Sequence, residues 1–338
     1  MVNSYGYILV MNSQENIWNS LLPQPFAILA PMDDVTDVVF RRLVHELAPA
    51  DLYFTEFASV EGFCSPGRQA IERRLCLYQA EGPVIAQIWG TTPAYFKEMA
   101  SELAERGFAG IDINMGCPVR DIIKNGGCSA LINTPELASE IISATQEGAG
   151  DLPVSVKTRL GWAKPEIREW LGFLMQQDIA ALTVHLRTVK EMSKVDAHWE
   201  LAEEIVALRD ELASDMVLVG NGDVLNRQMA EARILETGLD GAMIGRGVFH
   251  DPWAFEQDER IHSVAERLSA LTRHLDIFEE TWQENEKRFD PLKRFFKIYI
   301  QGFDGAAHLR ARLMECVSIA QVRTILKGVS LKDLVDDK

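Results

Sequence analysis

Apolar residues concentrate in eight short runs: Phe26–Ala30, Leu52–Phe57, Val84–Trp89, Ala109–Ile113, Val154–Thr158, Ala181–His185, Met216–Gly220 and Gly241–Ile244. They recur at intervals of 25 to 45 residues. Most are continuous rather than alternating, as in strands buried on both faces of a parallel sheet. Helical patterns fill the gaps. Thr92-Pro93 places proline at the first helical position, and Phe96, Met99, Ala100 and Leu103 follow at helical spacing. Thr134-Pro135 repeats the device, with Leu137, Ile141 and Ala144 on one face. Strand then helix, eight times, predicts an α/β chain folded as a (β/α)8 TIM barrel over residues 1–256. A doubly wound open sheet is the runner-up, but it usually has fewer strands, and no G-x-G-x-x-G follows the first run. Beyond residue 256 the strand signals stop. Val264, Leu268, Leu271, Leu275 and Phe278 form one helical stripe, and Leu292, Phe295, Phe296, Tyr299 and Phe303 another. Residues 257–338 are expected to be a small C-terminal helical domain whose stripes pack as core.

Composition narrows the class. The chain has 338 residues, 47% hydrophobic and 25% charged, as in soluble globular proteins. No stretch approaches the roughly 20 apolar residues of a membrane span, and no basic region precedes a long apolar run at the start. Five cysteines, Cys64, Cys76, Cys117, Cys128 and Cys316, include no C-x-x-C pair. That argues against a disulfide framework or a zinc site and for a reducing cytoplasm. No metal is expected, and the chain is expected to be a monomer.

The net charge of −16 argues against nucleic acid as a partner when taken alone. Its distribution changes the picture. Residues 257–338 hold 14 Lys+Arg and 14 Asp+Glu, leaving 20 against 36 for residues 1–256. Lys287–Lys297 carries five basic residues against one acid, Asp290. A local basic face is felt over a Debye length of about 8 Å whatever the total charge. The bland alternative is a solvated face paired with Glu284, Glu286 and Asp290.

Catalytic groups of a parallel barrel gather at the carboxyl ends of its strands. Those ends are polar here. The first run ends in Ala30-Pro31-Met32-Asp33, the second in Thr55-Glu56, the third near Gln87, and the fourth in Asn114-Met115-Gly116-Cys117-Pro118. The fifth ends in Lys157 and Arg159, the sixth in His185 and Arg187, the seventh in Asn221-Gly222-Asp223, and the eighth in Gly245-Arg246-Gly247. Cys117, on a loop stiffened by Gly116 and Pro118, can act as nucleophile, metal ligand or proton donor. Glycine turns after the last two strands are where barrels most often bind a phosphate, and Arg246 could add a charge-assisted contact. Lys157 is costly to bury without a partner. It and Gln87 are candidates to face the polar rim of a flavin ring, where a lysine would stabilise the anionic reduced form. His185 also fits a capped core histidine. Cys128, in Asn125-Gly126-Gly127-Cys128-Ser129, reads as structural.

In this order the motifs resemble those of the tRNA-dihydrouridine synthases. They are Ala30-Pro31-Met32-Asp33-Asp34-Val35-Thr36-Asp37, Asn114-Met115-Gly116-Cys117-Pro118, Lys124 with Gly126-Gly127, Val156-Lys157-Thr158-Arg159-Leu160-Gly161, His185-Leu186-Arg187-Thr188, Asn221-Gly222-Asp223 and Gly245-Arg246-Gly247. The resemblance covers residues 26–255 closely and the tail loosely. It implies FMN as cofactor, NADPH as reductant and a tRNA substrate, with a D-loop uridine as target. It implies that Pro31, Met32, Asp33, Gln87, Lys157, His185, Asn221, Gly222, Asp223, Gly245 and Arg246 lie on the flavin. Cys117 matches the family's catalytic cysteine, and Asn114 and Arg159 match residues that touch the target uracil. Three features depart from the pattern. Leu186 stands where glycine is usual and is expected to tighten the space near the substrate. Cys128 stands where glycine or alanine is commoner. The third is the acidic net charge.

The implied reaction is hydride transfer to carbon 6 of uracil and proton transfer to carbon 5 from the opposite face. A cysteine with an ordinary pKa near 8.5 stays mostly protonated at neutral pH and suits the second step. The base must leave its stack, at a cost of a few kcal/mol that is smaller in a loop. The tail, through Lys287, Arg288, Lys293, Arg294 and Lys297, is expected to grip phosphates. Two alternatives share some of these features: a dihydroorotate-dehydrogenase-like FMN enzyme acting on a free pyrimidine, and a non-catalytic tRNA-binding chaperone with a vestigial flavin.

Overall fold

The computed structural model describes residues 16–78, 80–213, 215–258, 260–282 and 287–329. Its strands are β1 (Phe26–Leu29), β2 (Leu52–Phe54), β3 (Ala58–Ser59), β4 (Val84–Trp89), β5 (Gly110–Asn114), β6 (Val154–Arg159), β7 (Ala181–His185), β8 (Val217–Asn221) and β9 (Gly241–Ile244). All pairings are parallel, in the order β2-β1-β9-β8-β7-β6-β5-β4-β3, and β2 also pairs with β4. That last pairing closes the sheet, and the expected (β/α)8 barrel is present.

One strand differs from expectation. The run Leu52–Phe57 is strand only over β2, and the two-residue β3 follows just beyond it. Between them side chains replace part of the ladder: the Gln87 N–H donates to Thr55 Oγ1 at 3.0 Å, and the Asp34 N–H donates to Glu56 Oε1 at 2.6 Å.

The apolar runs hide a period of two. Phe26, Ile28, Leu52, Phe54, Ile85, Val217, Val219 and Met243 form a cluster inside the barrel. Their neighbours Ala27, Leu29, Tyr53, Ala86, Leu218 and Ala242 belong to the outer layer beneath the helices. Trp18, fully buried on the helix Ile17–Leu21, joins the inner cluster, with its ring 6.3 Å from that of Phe54. Burying each large inner side chain contributes about 1.5–3 kcal/mol. The inner positions turn polar toward the strands' carboxyl ends, and those residues line the site described below.

Helices Pro93–Ala104 and Pro135–Ala149 begin at the expected prolines, although neither threonine makes a side-chain cap. Phe96, Met99, Ala100 and Leu103 are buried as expected. On the second helix the buried stripe is Ala138, Ile141, Ile142 and Thr145, with Leu137 and Ala144 at its margin. The two helices touch at Gly148, where a Cβ would lie 2.2 Å from the Lys97 carbonyl oxygen.

After β9 the described chain is helical, with Val264–Thr281, Ala306–Met314 and Ile319–Lys327 as its longest pieces. The second expected stripe is fully buried but is carried by a 3-10 turn, Asp290–Phe295, and the short helix Phe296–Tyr299. These helices share one apolar core with the barrel's outer layer. Phe295 stacks on Phe40 at 4.9 Å, Arg42 donates to Glu280 at 2.7 Å, and Arg273 pairs with Glu46. Among the described residues no helix is long and apolar enough to cross a membrane.

Candidate active site

A cavity of about 600 Å³ opens at the carboxyl end of the strands. Pro31, Met32, Gln87, Asn114, Cys117, Lys157, Arg159, His185, Asn221, Gly222, Asp223, Gly245 and Arg246 all line it. Strand register makes several of them a ring. Asn114 pairs with Lys157, Arg159 with His185, and His185 with Asn221. Asp33 is the exception among the expected residues: its carboxylate turns to Arg74 instead of forming the wall.

The Cys117 loop is pinned from several sides. Asn114 Oδ1 accepts from the N–H groups of Gly116 and Cys117, each at 3.0 Å. Asn114 Nδ2 donates to Gln87 Oε1 at 3.0 Å, and Gln87 Nε2 donates to Asp112 at 2.8 Å. Ser155 Oγ completes the Asp112 contacts at 2.7 Å. Arg159 Nε donates to the Gly116 carbonyl at 2.8 Å, and Ser129 Oγ to the Cys117 carbonyl at 2.8 Å. Asn114 therefore orients the cysteine loop as well as facing the cavity. Arg159 Nη1 is taken by the Thr188 and Met192 carbonyls, and among the described residues Nη2 has no partner, which leaves it for a ligand.

The Cys117 thiol does not have the ordinary acidity expected from sequence. Its pKa is lowered from 9.0 to about 7. The neighbouring Cys128 thiol is the largest cause, and burial opposes it; the Val119 backbone and the Arg159 charge also favour the thiolate. Cys128 is buried, as a structural residue would be. All five cysteines are free.

A second set of charges lies opposite. Lys157 Nζ donates to Asn221 Oδ1 at 3.1 Å, and Asn221 Nδ2 donates to the Met243 carbonyl at 2.9 Å. Burial, then the Arg159 charge, lowers the Lys157 pKa to about 8, so the ammonium persists at neutral pH. Burial raises Asp112 to about 6, and its remaining charge favours the lysine's. His185 is held well below 6.5 by burial and then by Arg159, Lys157, Arg187 and Arg246, so it is neutral. Arg187 Nη1 donates to His185 Nε2 at 3.1 Å, which leaves the ring proton on Nδ1. Arg187 also bonds Asp223, whose other oxygen accepts from Arg246 Nη2 at 2.8 Å.

Sequence reasoning gave Arg187 and Asp112 no role. Asp112 had a signal, a carboxylate inside an apolar strand beside the strand that carries Lys157. Arg187 had little, because its work is to join three strand ends. Leu186 corrects an expectation: it is buried in the outer layer and does not narrow the cavity.

The glycine turns supply an open backbone surface. A Cβ on Gly245 would project toward Ala30 and Met32 at 3.6 and 3.8 Å, on the cavity wall. Among the described residues no acceptor takes the N–H groups of Arg246 and Gly247. With the Arg246 side chain, 62% exposed, they suit a phosphate. The polar groups of Gln87, Lys157, His185 and Asn221 on the same wall suit the hetero-ring of a flavin.

Elsewhere, Asp33, Asp34 and Glu56 bring carboxylate oxygens within 4.8 Å of one another. Arg74 sits on Asp33 and Glu56, and Arg294 on Asp34, so each carboxylate of this cluster already has a guanidinium beside it. The tail's basic residues are likewise partly taken. Lys287 bonds Asp37 at 2.6 Å, Arg294 bonds the Asp34 carbonyl at 3.0 Å, and Lys293 pairs with Asp290 at 3.0 Å. Arg288 and Lys297 are exposed and have no acidic partner among the described residues. Glu284 and Glu286 lie outside the described residues.

Comparison with known proteins adds independent findings. The dihydrouridine synthase family model matches residues 28–334. A probable tRNA-dihydrouridine synthase of Staphylococcus epidermidis is 52% identical over 315 residues, covering 93% of this chain and 96% of that protein. A probable tRNA-dihydrouridine synthase of Staphylococcus aureus is 50% identical over 315 residues, covering 93% and 95%. The probable tRNA-dihydrouridine synthase 2 of Bacillus subtilis is 49% identical over 322 residues, covering 95% and 98%.

Proposed function

The chain belongs to the dihydrouridine synthase family, and from that premise we propose that it reduces the 5,6 double bond of a uridine in tRNA, with FMN as cofactor, NADPH as reductant and Cys117 as proton donor. The observation that carries this reading is the shared cavity: Cys117 lines the same space as Lys157 and the Gly245-Arg246-Gly247 turn. Bound FMN would supply the hydride, delivered to carbon 6 of the uracil. Gly245, Arg246 and Gly247 would hold its phosphate, with Asn221, Gly222 and Asp223 beside them. Pro31, Met32, Gln87, Lys157 and His185 would contact the rest.

The protein's own groups account for the remainder. Arg159 Nη2 and the remaining Asn114 N–H donor are available to uracil oxygens. The Cys117 S–H bond breaks as a C–H bond forms at carbon 5, and the electron pair stays on sulfur. A water proton then restores the thiol. The target base has to be turned out of its stack to enter the cavity, which is easier in a loop such as the D-loop. The reading is tested by mapping dihydrouridine in tRNA from cells lacking the protein, and by identifying the flavin that heat releases from it. One uridine position should remain unmodified and be restored by the purified holoenzyme. A flavin carrying adenine, or an unchanged modification map, would overturn it.

For tRNA binding, the partners of Lys287, Lys293 and Arg294 move the expected phosphate grip. Lys297 and Arg310 line a groove of about 420 Å³ on the tail, beside Lys293 and Arg294. Lys297→Glu with Arg288→Glu is expected to weaken tRNA binding. The salt dependence should flatten by roughly 0.7 to 0.9 in slope for each phosphate that the tail no longer neutralises. NADPH oxidation by the tRNA-free holoenzyme should be unchanged. Unchanged affinity and slope would place the RNA on the cavity rim, around Lys190 and Lys194.

A further inference from the structure

Asp112 is a buried carboxylate that the proton transfer above leaves without a part. It is 0% exposed and does not line the cavity. The strand register sets it level with Gln87 of β4 on one side and Ser155 of β6 on the other. Asn114 stands two residues further along β5, so its side chain projects from the same face, one step nearer the cavity.

The fold gains little from a carboxylate there. Burial raises its pKa from 3.8 to about 6, against the hydrogen bonds from Ser155 and Gln87. A folded pKa above the unfolded value means that stability falls as pH rises from 3.8 to about 6, and the cost persists at neutral pH. Packing alone would favour an apolar side chain of similar volume. What the carboxylate supplies is direction.

A carboxylate oxygen only accepts hydrogen bonds, and a backbone N–H only donates. These two anchors fix the two amides that lie between them. Gln87 Nε2 donates to Asp112 Oδ2 at 2.8 Å, which turns Gln87 Oε1 toward Asn114. That oxygen accepts from Asn114 Nδ2 at 3.0 Å, which turns Asn114 Oδ1 toward the cysteine loop. There it accepts from the N–H groups of Gly116 and Cys117, each at 3.0 Å. Ser155 Oγ donates to Asp112 Oδ1 at 2.7 Å and holds the carboxylate from its other side. Reversing either amide would set oxygen against oxygen and N–H against N–H.

We propose that Asp112 is a positioning residue for uridine reduction: through Gln87 it fixes the Asn114 amide, whose oxygen holds the Cys117 loop and whose second N–H is left for the uracil. The proposal rests on the reading of Cys117 as proton donor to a uracil in this cavity. Asp112 touches neither the cavity nor the cysteine, so it acts on the step only through the amide chain.

Its charge has a separate effect, because it favours the Lys157 ammonium. Asp112→Asn separates the two. The new side chain can accept from Gln87 with its oxygen and donate to the Ser155 hydroxyl with its nitrogen. Direction is kept and the charge is lost. Asp112→Ala loses both.

The test is single-turnover dihydrouridine formation by pre-reduced holoenzyme with saturating unmodified tRNA, expressed per bound flavin. Asp112→Ala should be slower by about tenfold or more, the size of one lost hydrogen bond to a charged group. Asp112→Asn should recover to within about threefold of wild type, since a neutral acceptor keeps roughly half the strength. Asp112→Leu fills the space without an acceptor and should match Asp112→Ala, which guards against a cavity that weakens the fold. Flavin reduction by NADPH gives the contrast. Near the Lys157 pKa of about 8 it should slow equally in the alanine and asparagine variants, because both lack the charge.

The route through Gln87 is read from a double variant. Adding Asp112→Ala to Gln87→Leu should slow the uridine step no further than Gln87→Leu alone. Multiplying losses would overturn the proposal. So would equal losses of the uridine step in Asp112→Ala and Asp112→Asn, which would assign the effect to charge. Wild-type rates per bound flavin in Asp112→Ala and Asp112→Leu would leave Asp112 a structural residue and overturn it too. A wild-type holoenzyme that leaves tRNA uridine unreduced would instead overturn the underlying reading, and the part of Asp112 with it.

Discussion

Cys117→Ala is expected to lose about 100- to 10,000-fold of its turnover on tRNA, the range typical of general acid catalysis. Flavin should remain bound and be reduced by NADPH at the wild-type rate, because neither step uses the thiol. Each tenfold loss corresponds to about 1.4 kcal/mol of transition-state stabilisation. The loop should survive the change: its hydrogen bonds run through the backbone of Gly116 and Cys117 to Asn114, Arg159 and Ser129. Cys117→Ser should fare little better, because a hydroxyl is far less acidic than a thiol. The pH profile gives an independent check. The acid form of a group with a pKa of about 7 is depleted as pH rises through that value. Wild-type single turnover should therefore fall on the alkaline side, and the residual rate of Cys117→Ala should lack that limb. A loss smaller than about tenfold, measured on reduced enzyme with saturating unmodified tRNA, would remove Cys117 from the role of acid.

The sequence made the barrel legible because parallel strands covered on both faces read as apolar runs. The same apolarity concealed which side each residue faced. In β6, Ser155, Lys157 and Arg159 point inward, while Val154, Val156 and Thr158 serve the outer layer. Lys157 stood out only because a lysine in such a run needs a partner. Asp112 lies one strand away, level with Ser155 in the register. Its role was hidden until the strands were aligned. The turn that fastens Ser129 to the Cys117 carbonyl was hidden differently, since it depends on a left-handed Cys128 that Gly126-Gly127 permit but do not specify. The tail's charge was legible, but its partners were not. Lys287 meets Asp37 and Arg294 meets Asp34 across 250 and 260 residues of sequence. A basic cluster therefore looked like an RNA contact when part of it joins the tail to the loop after β1.

Lys157→Met is expected to slow NADPH-dependent reduction of the bound flavin by about 100-fold. The side chain keeps a comparable length and apolar stem, so the substitution removes a charge without opening a large cavity. In the wild type the ammonium is fixed by Asn221 Oδ1 at 3.1 Å and is supported by the buried Asp112 carboxylate. Because it is already oriented, it meets developing negative charge without reorganisation. Removing one preorganised donor of this kind typically costs about 100- to 1,000-fold. The lysine's lowered pKa of about 8 adds a pH signature. As pH rises through that value the lysine loses its proton, so wild-type reduction should slow on the alkaline side. The methionine variant should be slow and flat over the same range. The midpoint potential gives a second readout that does not depend on tRNA. Loss of the cation should lower it, because the anionic reduced form is no longer favoured over the oxidised one. Asn221→Ala should reproduce part of the rate loss, since it frees the ammonium without removing its charge. An unchanged potential together with an unchanged reduction rate in Lys157→Met would place the flavin's negative pole against Arg159 or Arg246 instead.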